Sequence, residues 1–287
     1  MSAEIIKKNI FPIGQNNSAI SIKPSQSWSF VDLKEIWNYR ELLYFLAWRD
    51  IQVRYKQTLL GVSWVLLQPI VTTIVFSILF SSFGKINTGA IPYALFAFSG
   101  FVLWGFISNA ISNASNSLIG QTNLITKVYF PRLIVPLASV IANLLDLLLG
   151  LAVLFVASLI FGVALSWKIL LLPVFIILFT ILLTGAGTLL AALNVRFRDI
   201  KHILPFALQL LLFASPVFYP LSILPERWRW IWGVNPLAGL LQGFRASLFN
   251  DEFDFQAIAG AVLFSIALFL VSLCVFRQME DDFADLI

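Results

Sequence analysis

The chain has 287 residues, of which 59% are hydrophobic and only 12% are charged, and its mean hydropathy is +0.89. An ordinary soluble domain carries about twice that charged fraction, so this composition excludes the soluble class and predicts a polytopic membrane protein. The net charge of +4 comes from basic residues that are scattered along the chain rather than gathered in one patch, which excludes a nucleic-acid partner.

Residues 1–57 predict a cytoplasmic arm that ends in an amphipathic interface helix. Residues 1–29 are polar, show little periodicity and lack the apolar core of a secretory signal, so the amino terminus is expected to stay inside. In residues 41–56, aromatic and apolar side chains recur at helical spacing, and basic side chains occupy another face. The aromatic face carries Tyr44, Trp48, Ile51 and Tyr55. Such a helix lies along a membrane surface.

Residues 58–276 are predicted to form six transmembrane helices in an all-α fold. The first apolar run, Leu59 to Phe83, has no charged side chain, and at about 1.5 Å per residue it exceeds a hydrocarbon layer of roughly 30 Å. The spans are expected at about 59–83, 91–111, 133–165, 169–193, 203–219 and 258–276. Residues 277–287 are expected to form a cytoplasmic tail in water.

Two connecting segments have unusual compositions. Residues 108–132 are rich in serine and asparagine and are expected to be a cytoplasmic loop with short helices. Residues 224–249 are apolar, but prolines and glycines interrupt them, so we expect two re-entrant helices between spans five and six. With this topology, 14 of the 19 lysines and arginines fall on one side, which predicts that both termini are cytoplasmic.

Motifs for catalysis are weak in this chain. His202 is the only histidine and Cys274 the only cysteine, so neither a disulfide framework nor a cysteine metal site is expected. The phosphate-binding pattern G-x-x-x-x-G-K-[ST] does not occur, so the chain cannot itself hold a nucleotide in that manner. The acidic residues at 251–254 are interpreted as a polar turn that borders the sixth span. We therefore expect no catalytic residue, no metal site and no cofactor on this chain.

Asp146 is the only carboxylate deep within a predicted span. Charge in lipid is costly, so an intramembrane acid indicates a functional site. The alternative is a structural hydrogen bond to Asn143 or to a neighbouring helix, and the sequence leaves both interpretations open. Ser139, Asn143, Asp146 and Gly150 share one helical stripe, which we expect to face protein. Small residues at 184–191 are expected to let the fourth span pack closely against other helices.

Aromatic residues are expected to cluster at the outer ends of the spans and in the interrupted segment. They are Tyr93, Phe96, Trp104, Phe218, Tyr219, Trp228 and Trp230. Interface belts explain most aromatic residues in membrane proteins, yet flat aromatic faces also suit sugar rings that move along a pathway. At the inner surface, Arg49, Arg54 and Lys56 are expected to bind either lipid headgroups, which anchors the helix, or a substrate pyrophosphate.

Five motifs occur in an order and spacing that we compare with known families. They are W-R-D-I-x-V-R-Y-K-Q-T-x-L-G at 48–61 followed by Gln68-Pro69, T-K-V-Y-F-P-R at 126–132, L-N-V-R-F-R-D-I at 193–200, S-P-V-F-Y at 215–219 and N-P-L at 235–237. Together they resemble the membrane subunit of ABC-2 type exporters, in particular the permeases for lipid-linked polysaccharides such as O-antigen, capsule or teichoic acid. The resemblance covers about residues 30–276.

The resemblance implies a homodimer joined to two copies of a separate ATPase subunit, which holds ATP and Mg²⁺, in a bacterial inner (plasma) membrane. It implies an undecaprenyl-pyrophosphate-linked glycan as cargo, which enters near the surface helix. It also assigns ATPase coupling to the segment after span two, here Ser112, Asn116, Gln121, Asn123 and Lys127. Two alternatives stay open: a membrane-embedded enzyme acting on polyprenyl-linked sugars, and an ABC-2 exporter of small lipids or drugs.

Overall fold

A computed structural model describes residues 33–56, 61, 63–83, 91–163, 166–223, 235–280 and 282–283. Within these ranges the chain forms ten α-helices and two short 3-10 turns, Trp167–Leu171 and Leu221–Ile223, and no strand. The helices are α1 (Leu33–Asn38), α2 (Arg40–Tyr55), α3 (Ser63–Phe83), α4 (Tyr93–Gly120), α5 (Thr122–Lys127), α6 (Ile134–Ile160), α7 (Leu172–Arg196), α8 (Ile200–Ala214), α9 (Pro236–Phe249) and α10 (Phe255–Glu280). The predicted all-α class is confirmed.

Among the described residues, five helices are long and apolar enough to cross a membrane: α3, α4, α6, α7 together with the turn before it, and α10. By contrast, α8 has 15 residues, or about 22 Å at 1.5 Å per residue, which is less than a hydrocarbon layer of roughly 30 Å. The helix ends early because Pro216 forces Ser215 out of the helical region, and Ser215 is extended with φ −116° and ψ 147°. The predicted fifth span at 203–219 is therefore shorter than expected, and the count of six spans is not confirmed.

The helix α4 lies at the centre of the bundle. Of its span residues 72% are buried, compared with 6% for α3 and 17% for α10. It packs against α3, α6, α7, α8 and α9, and its side chains supply much of the main hydrophobic core. The outer helices therefore present most of their apolar surface to whatever surrounds this chain.

The helix α4 also continues without a break to Gly120, so the prediction that a loop begins near residue 108 was wrong. Serine and asparagine usually favour loops because their side chains compete for backbone hydrogen bonds. Here those side chains bond back to the helix instead: Ser108 donates to Trp104 O at 2.8 Å, and Asn116 Nδ2 donates to Ser112 O at 2.8 Å. The connecting segment before α6 is consequently shorter than predicted.

The small residues of α7 let two helices approach it closely, as predicted. A Cβ on Gly185 would lie 2.9 Å from Phe269 Cα of α10, and a Cβ on Gly187 would lie 2.6 Å from Ala114 Cβ of α4. Thr188 Oγ1 donates to Ser272 Oγ at 3.0 Å, which adds a buried hydrogen bond between α7 and α10. Small residues thus take the place of the hydrophobic driving force that lipid does not provide.

We expect Gly185→Leu to weaken the α7–α10 contact, because the obstacle is backbone and cannot rotate away. Overpacking of this kind typically costs about 1–3 kcal/mol, so the melting temperature of the detergent-purified protein should fall. Gly260→Ala is the matched control, since a Cβ at Gly260 meets nothing within 4 Å. An unchanged melting temperature for Gly185→Leu would contradict this packing.

A second core joins the bundle at the end that carries α5. Ile125, Phe130, Phe276 and Phe283 are buried there with side chains of α2, α6 and α7. The prediction that the tail leaves the bundle at residue 277 was therefore wrong, because α10 continues to Glu280 and Phe283 packs against Phe276 with ring centroids 5.2 Å apart. This end of the bundle, the α5 end, is a packed unit rather than a set of loops.

At the opposite end, which we call the α9 end, the short buried helix α9 lies within the range 224–249, where two re-entrant helices were predicted, and the re-entrant arrangement stays a prediction. Asn235 caps α9 by accepting from Leu237 N at 3.0 Å, and Pro236 occupies the first turn, a favoured helix start. The helix has 14 residues, too few to cross a bilayer of roughly 30 Å. Residues 224–234, including Trp228 and Trp230, lie outside the described residues.

Candidate functional site

The interface helix α2 is joined to α6 by a polar cluster near the middle of the α6 span. Arg54 Nη1 donates to Asn143 Oδ1 at 3.1 Å and to one oxygen of the Asp146 carboxylate. The Tyr55 hydroxyl donates to the other oxygen of Asp146. We call Arg54, Tyr55, Asn143 and Asp146 the latch. Asn113 of α4 joins it by donating to Asn143 Oδ1 at 3.2 Å.

The latch places two opposite charges where isolated charges are costly. The side chain of Asp146 is 7% exposed and that of Arg54 is 27% exposed. Burial, and then the hydrogen bond to Asp146, raises the pKa of Tyr55 above its usual range, so its hydroxyl stays protonated and remains a donor. The predicted protein-facing stripe on α6 is confirmed, and Asp146 has a structural partner that the sequence analysis did not identify.

Most of the α2 side chains that contact the bundle lie outside the aromatic face predicted from the sequence. Leu46 and Ala47 are buried, and Asp50 lies on the same side, where its Oδ2 accepts from Ser139 Oγ at 3.3 Å. Tyr44 and Trp48 point away, with 70% and 48% of their surfaces exposed. Tyr44 and Trp48 can therefore contact lipid, whereas Tyr55, at the end of the same aromatic face, contacts α6 through the latch.

Two cavities open beside the latch. The first, the aromatic cavity, has a volume of about 510 Å³ and lies between α2, α3, α4 and α6. Its walls include Tyr55, Trp64, Gln68, Phe101, Trp104, Ser108 and Asn109. The second, the amide cavity, has a volume of about 550 Å³ and lies between α2, the end of α4, α5 and α6. Its walls include Arg49, Asp50, Asn116, Ser117, Gln121, Asn123 and Ser139. Arg54 and Asn113 line both cavities.

These cavities offer hydrogen-bonding groups rather than a catalytic constellation. Gln121 Oε1 is buried and has no hydrogen-bond partner, and Asn109 and Asn123 expose their amides. Arg49 is paired with Asp50 at 2.8 Å, as Arg54 is with Asp146. Across the part of the chain that the structure describes, no three His, Cys, Asp or Glu side chains are grouped so that they could hold a metal ion. The arrangement suits binding of polar, uncharged groups.

Residues 41–249, which run from the second residue of α2 to the end of α9 and include both cavities, match the ABC-2 type transporter family. The chain belongs to this family. It is 30% identical to the O-antigen export system permease protein RfbA of Myxococcus xanthus over 88% of this chain and 98% of that protein. It is 27% identical to the RfbA permease of Klebsiella pneumoniae, over 86% of this chain and 95% of that protein, and 25% identical to the polysialic acid transport protein KpsM of Escherichia coli, over 81% and 91%. The predicted resemblance to polysaccharide export permeases is confirmed.

The residues predicted to couple this ABC-2 permease to an ATPase lie in two different environments. Ser112 and Asn116 belong to α4, and Asn116, Gln121 and Asn123 line the amide cavity. Lys127, at the end of α5, is exposed and is followed by the exposed side chains of Val128 and Tyr129. Coupling stays a prediction, and exposure at Lys127 to Tyr129 makes these residues the better placed for a contact with another protein.

The basic residues predicted to receive a headgroup are also differently placed. Arg49 and Arg54 are held in ion pairs within the permease, and Lys56 is exposed just beyond α2. Of these three residues, Lys56 is the one whose positive charge has no carboxylate partner among the described residues. A role for all three in binding pyrophosphate stays a prediction.

The predicted aromatic pathway residues that the structure describes do not form one open surface in the permease. Phe96 and Phe218 are buried, and the Phe218 ring packs against Phe76, with centroids 4.9 Å apart, and against Tyr219, 5.1 Å apart. Of the predicted set, Trp104 lines the aromatic cavity. Tyr93, Phe96, Phe218 and Tyr219 are packing groups at the α9 end, and the role of the predicted set in a pathway stays a prediction.

Arg245 of α9 is a buried cation that sequence reasoning missed. It is 8% exposed, and its guanidinium donates to Ser99 Oγ at 3.2 Å, Pro216 O at 2.6 Å, Phe96 O at 3.1 Å and Val217 O. Gly100 leaves room for this arrangement, because a Cβ there would overlap Val217 O and the guanidinium. The signal in the sequence was an arginine inside an apolar helix too short to cross the membrane.

Arg245 belongs to a wider set of side chains that satisfy an irregular backbone. Residues 215–219, which follow α8, are not helical, and lipid cannot satisfy their backbone groups. Asn235 Nδ2 donates to Ala214 O at 3.1 Å, Tyr93 Oη donates to Phe218 O at 2.8 Å, and Arg245 donates to the two carbonyls between them. The S-P-V-F-Y motif is thereby fixed against α4.

Proposed function

We propose that this chain is the membrane-spanning subunit of an ABC exporter that moves a lipid-linked polysaccharide from the cytoplasmic side across the inner (plasma) membrane. The family match over residues 41–249 carries the proposal. The O-antigen and polysialic acid permeases among its relatives support a polysaccharide as cargo, and the polar cavities support passage of hydroxyl-rich groups. The carrier we propose is undecaprenyl pyrophosphate.

Energy for transport comes, in this proposal, from a separate ATPase subunit present in two copies, which binds ATP and Mg²⁺. ABC-2 permeases work with an ATPase subunit, and this sequence has no phosphate-binding pattern of its own. The α5 end is then cytoplasmic, as the excess of lysine and arginine on that side predicts. Tyr129, with 74% of its surface exposed, is the apolar group there that a partner would cover.

The functional unit is proposed to be a homodimer. The helix α3 has only 6% of its span residues buried and exposes Trp64, Val71, Ile74 and Ile78. Lipid and a second copy of the chain can both cover such an apolar face. A second copy would also close the aromatic cavity, which α3 borders through Trp64 and Gln68.

The competing hypothesis of a membrane-embedded enzyme requires a free catalytic acid. Asp146 is held by Arg54 and Tyr55, and the Asp251 side chain accepts from Glu252 N at 2.9 Å, as a turn residue does. These contacts favour structural roles for both carboxylates. The other alternative, an exporter of small lipids or drugs, differs from the proposed polysaccharide exporter only in its cargo, so identification of the cargo decides between them.

A genetic experiment tests the proposal in the organism that carries this gene. We expect deletion of the gene to abolish surface polysaccharide and to accumulate lipid-linked glycan in the cytoplasm. A lysine-to-alanine change in the phosphate-binding loop of the proposed ATPase partner should give the same phenotype. Normal surface polysaccharide after either change would refute the proposed function, whereas loss without accumulation of lipid-linked glycan would favour the enzyme.

A further inference from the structure

We infer that Arg132 and Glu280 form a clasp that carries movement of α5 to α10, and that this clasp keeps ATP hydrolysis coupled to export. The clasp joins the segment between α5 and α6 to the end of α10. The inference rests on the proposed function, because it adds two positioning residues to the ATPase contact proposed at the α5 end.

Each residue of the clasp binds the backbone of the other. The Glu280 carboxylate accepts from Arg132 N at 3.1 Å, and the Arg132 guanidinium donates to the backbone carbonyl of Glu280. Glu280 is the last residue of α10, where carbonyls have no partner within the helix, and Arg132 lies just before α6 begins at Ile134. The helix dipoles favour a cation at the end of α10 and an anion at the start of α6.

Burial and a third charge restrict the movement of the clasp. The Glu280 side chain is 13% exposed, and its other carboxylate oxygen pairs with Arg277 Nη1 at 2.8 Å. Phe130, close before Arg132 in the chain, and Phe283, close after Glu280, are both buried in the core of the α5 end. Because packed interiors have low compressibility and transmit strain, displacement of one side of the clasp moves the other side.

The input to the clasp is the exposed segment that precedes it. Lys127, Val128 and Tyr129 are exposed, and this segment leads through Phe130 to Arg132. The backbone of Val128 is extended, with φ −128° and ψ 134°, so α5 ends there and the chain runs directly to the clasp. A partner that displaces Tyr129 therefore displaces Arg132 as well.

The helix α10 carries this displacement to the far end of the bundle. Its 26 residues, at about 1.5 Å each, span about 39 Å. It packs on α9 so closely that a Cβ on Gly239 would lie 2.5 Å from Ala257 O. In turn, α9 carries Arg245, which binds the S-P-V-F-Y segment. The clasp thus links the proposed ATPase contact to the irregular backbone at the α9 end.

Export per ATP hydrolysed tests the clasp. The assembled complex of the permease and its proposed ATPase partner is purified and placed in liposomes, and native lipid-linked glycan on the far leaflet is counted with an impermeant lectin. We expect complexes with Glu280→Ala or Arg132→Ala to hydrolyse ATP but to lower export per ATP about fivefold or more, as typical coupling energies imply. Arg132→Lys keeps a cationic donor and should restore most of the ratio.

The matched control is Gln278→Ala, an exposed change in the last turn of α10, which should leave export per ATP unchanged. A purely structural role for the clasp predicts a different result. It would lower the melting temperature and the yield of assembled complex, but the complexes that assemble would keep the wild-type ratio.

The outcomes separate this inference from the proposed function. A lowered ratio in the alanine variants, with recovery in Arg132→Lys, supports the clasp. Wild-type ratios in the alanine variants, equal ratios for Arg132→Ala and Arg132→Lys, or an equal loss in Gln278→Ala overturn the clasp and leave the proposed function standing. If Glu280→Ala does not assemble, the Arg132 variants decide, because that side chain is only half-buried. Absence of export by the wild-type complex would overturn both.

Discussion

Arg54→Leu is expected to destabilise the permease more than any other single change in the latch. It leaves the Asp146 carboxylate, 7% exposed, in the middle of a span without its cation. Removal of one partner from a buried ion pair typically costs about 3–5 kcal/mol. Thermal unfolding of the detergent-purified protein measures the effect, and a large fall in melting temperature and in yield is expected.

A double substitution distinguishes an ion pair from simple packing. Arg54→Leu combined with Asp146→Leu removes both charges, so the double variant should be more stable than Arg54→Leu alone. Gln52→Leu, an exposed change on the same helix, is the matched control and should leave the melting temperature unchanged within about 0.5 kcal/mol. If the second substitution lowers stability further, the latch is not an ion pair.

Arg245→Leu is the second change for which we expect a large effect. The substitution leaves Pro216 O and Val217 O without donors at a depth where water is scarce, and each orphaned group costs about 1–3 kcal/mol. Because these acceptors belong to the backbone, no second substitution can remove them. The melting temperature should fall, and a cysteine placed at Val217, 1% exposed, should become reactive toward a maleimide in a Cys274→Ser background.

Arg245→Lys tests whether geometry or charge matters. Lysine keeps the charge but lacks the planar fork that reaches several acceptors at once, so an intermediate melting temperature is expected. Arg198→Leu, at an exposed site, is the control for loss of an arginine. Wild-type stability and a protected cysteine at Val217 in Arg245→Leu would show that the guanidinium does not hold this segment.

The sequence was sufficient to predict which side chains are buried where a pattern of residue types repeats along a helix. The polar stripe from Ser139 to Gly150 and the small residues around Gly185 lie where periodicity placed them, because burial in a bundle follows helix geometry. The apolar runs likewise marked five of the predicted spans, because length and composition alone decide whether a helix can cross.

The sequence was insufficient where a contact joins residues far apart in the chain. Arg54 and Asp146 are 92 residues apart in the chain, and Arg245 is up to 149 residues from the groups to which it donates. No pattern of neighbouring residues predicts either contact. The polar end of α4 was misassigned for a different reason: serine and asparagine side chains that bond back to their own helix have the same composition as a loop.

The latch and the two cavities together suggest how a permease of this kind reconciles stability with a polar path. The two charges of the latch are paired with each other, and the uncharged polar groups that line the cavities include amides and hydroxyls.

Transport by purified components tests the central claim most directly. The permease and its proposed ATPase partner are reconstituted in liposomes with native lipid-linked glycan, and glycan exposed on the far leaflet is measured with a lectin that cannot cross the membrane. The account predicts exposure that requires the permease, the ATPase and ATP together. Equal exposure from the permease alone, or none from the complete and ATP-hydrolysing system, would contradict it.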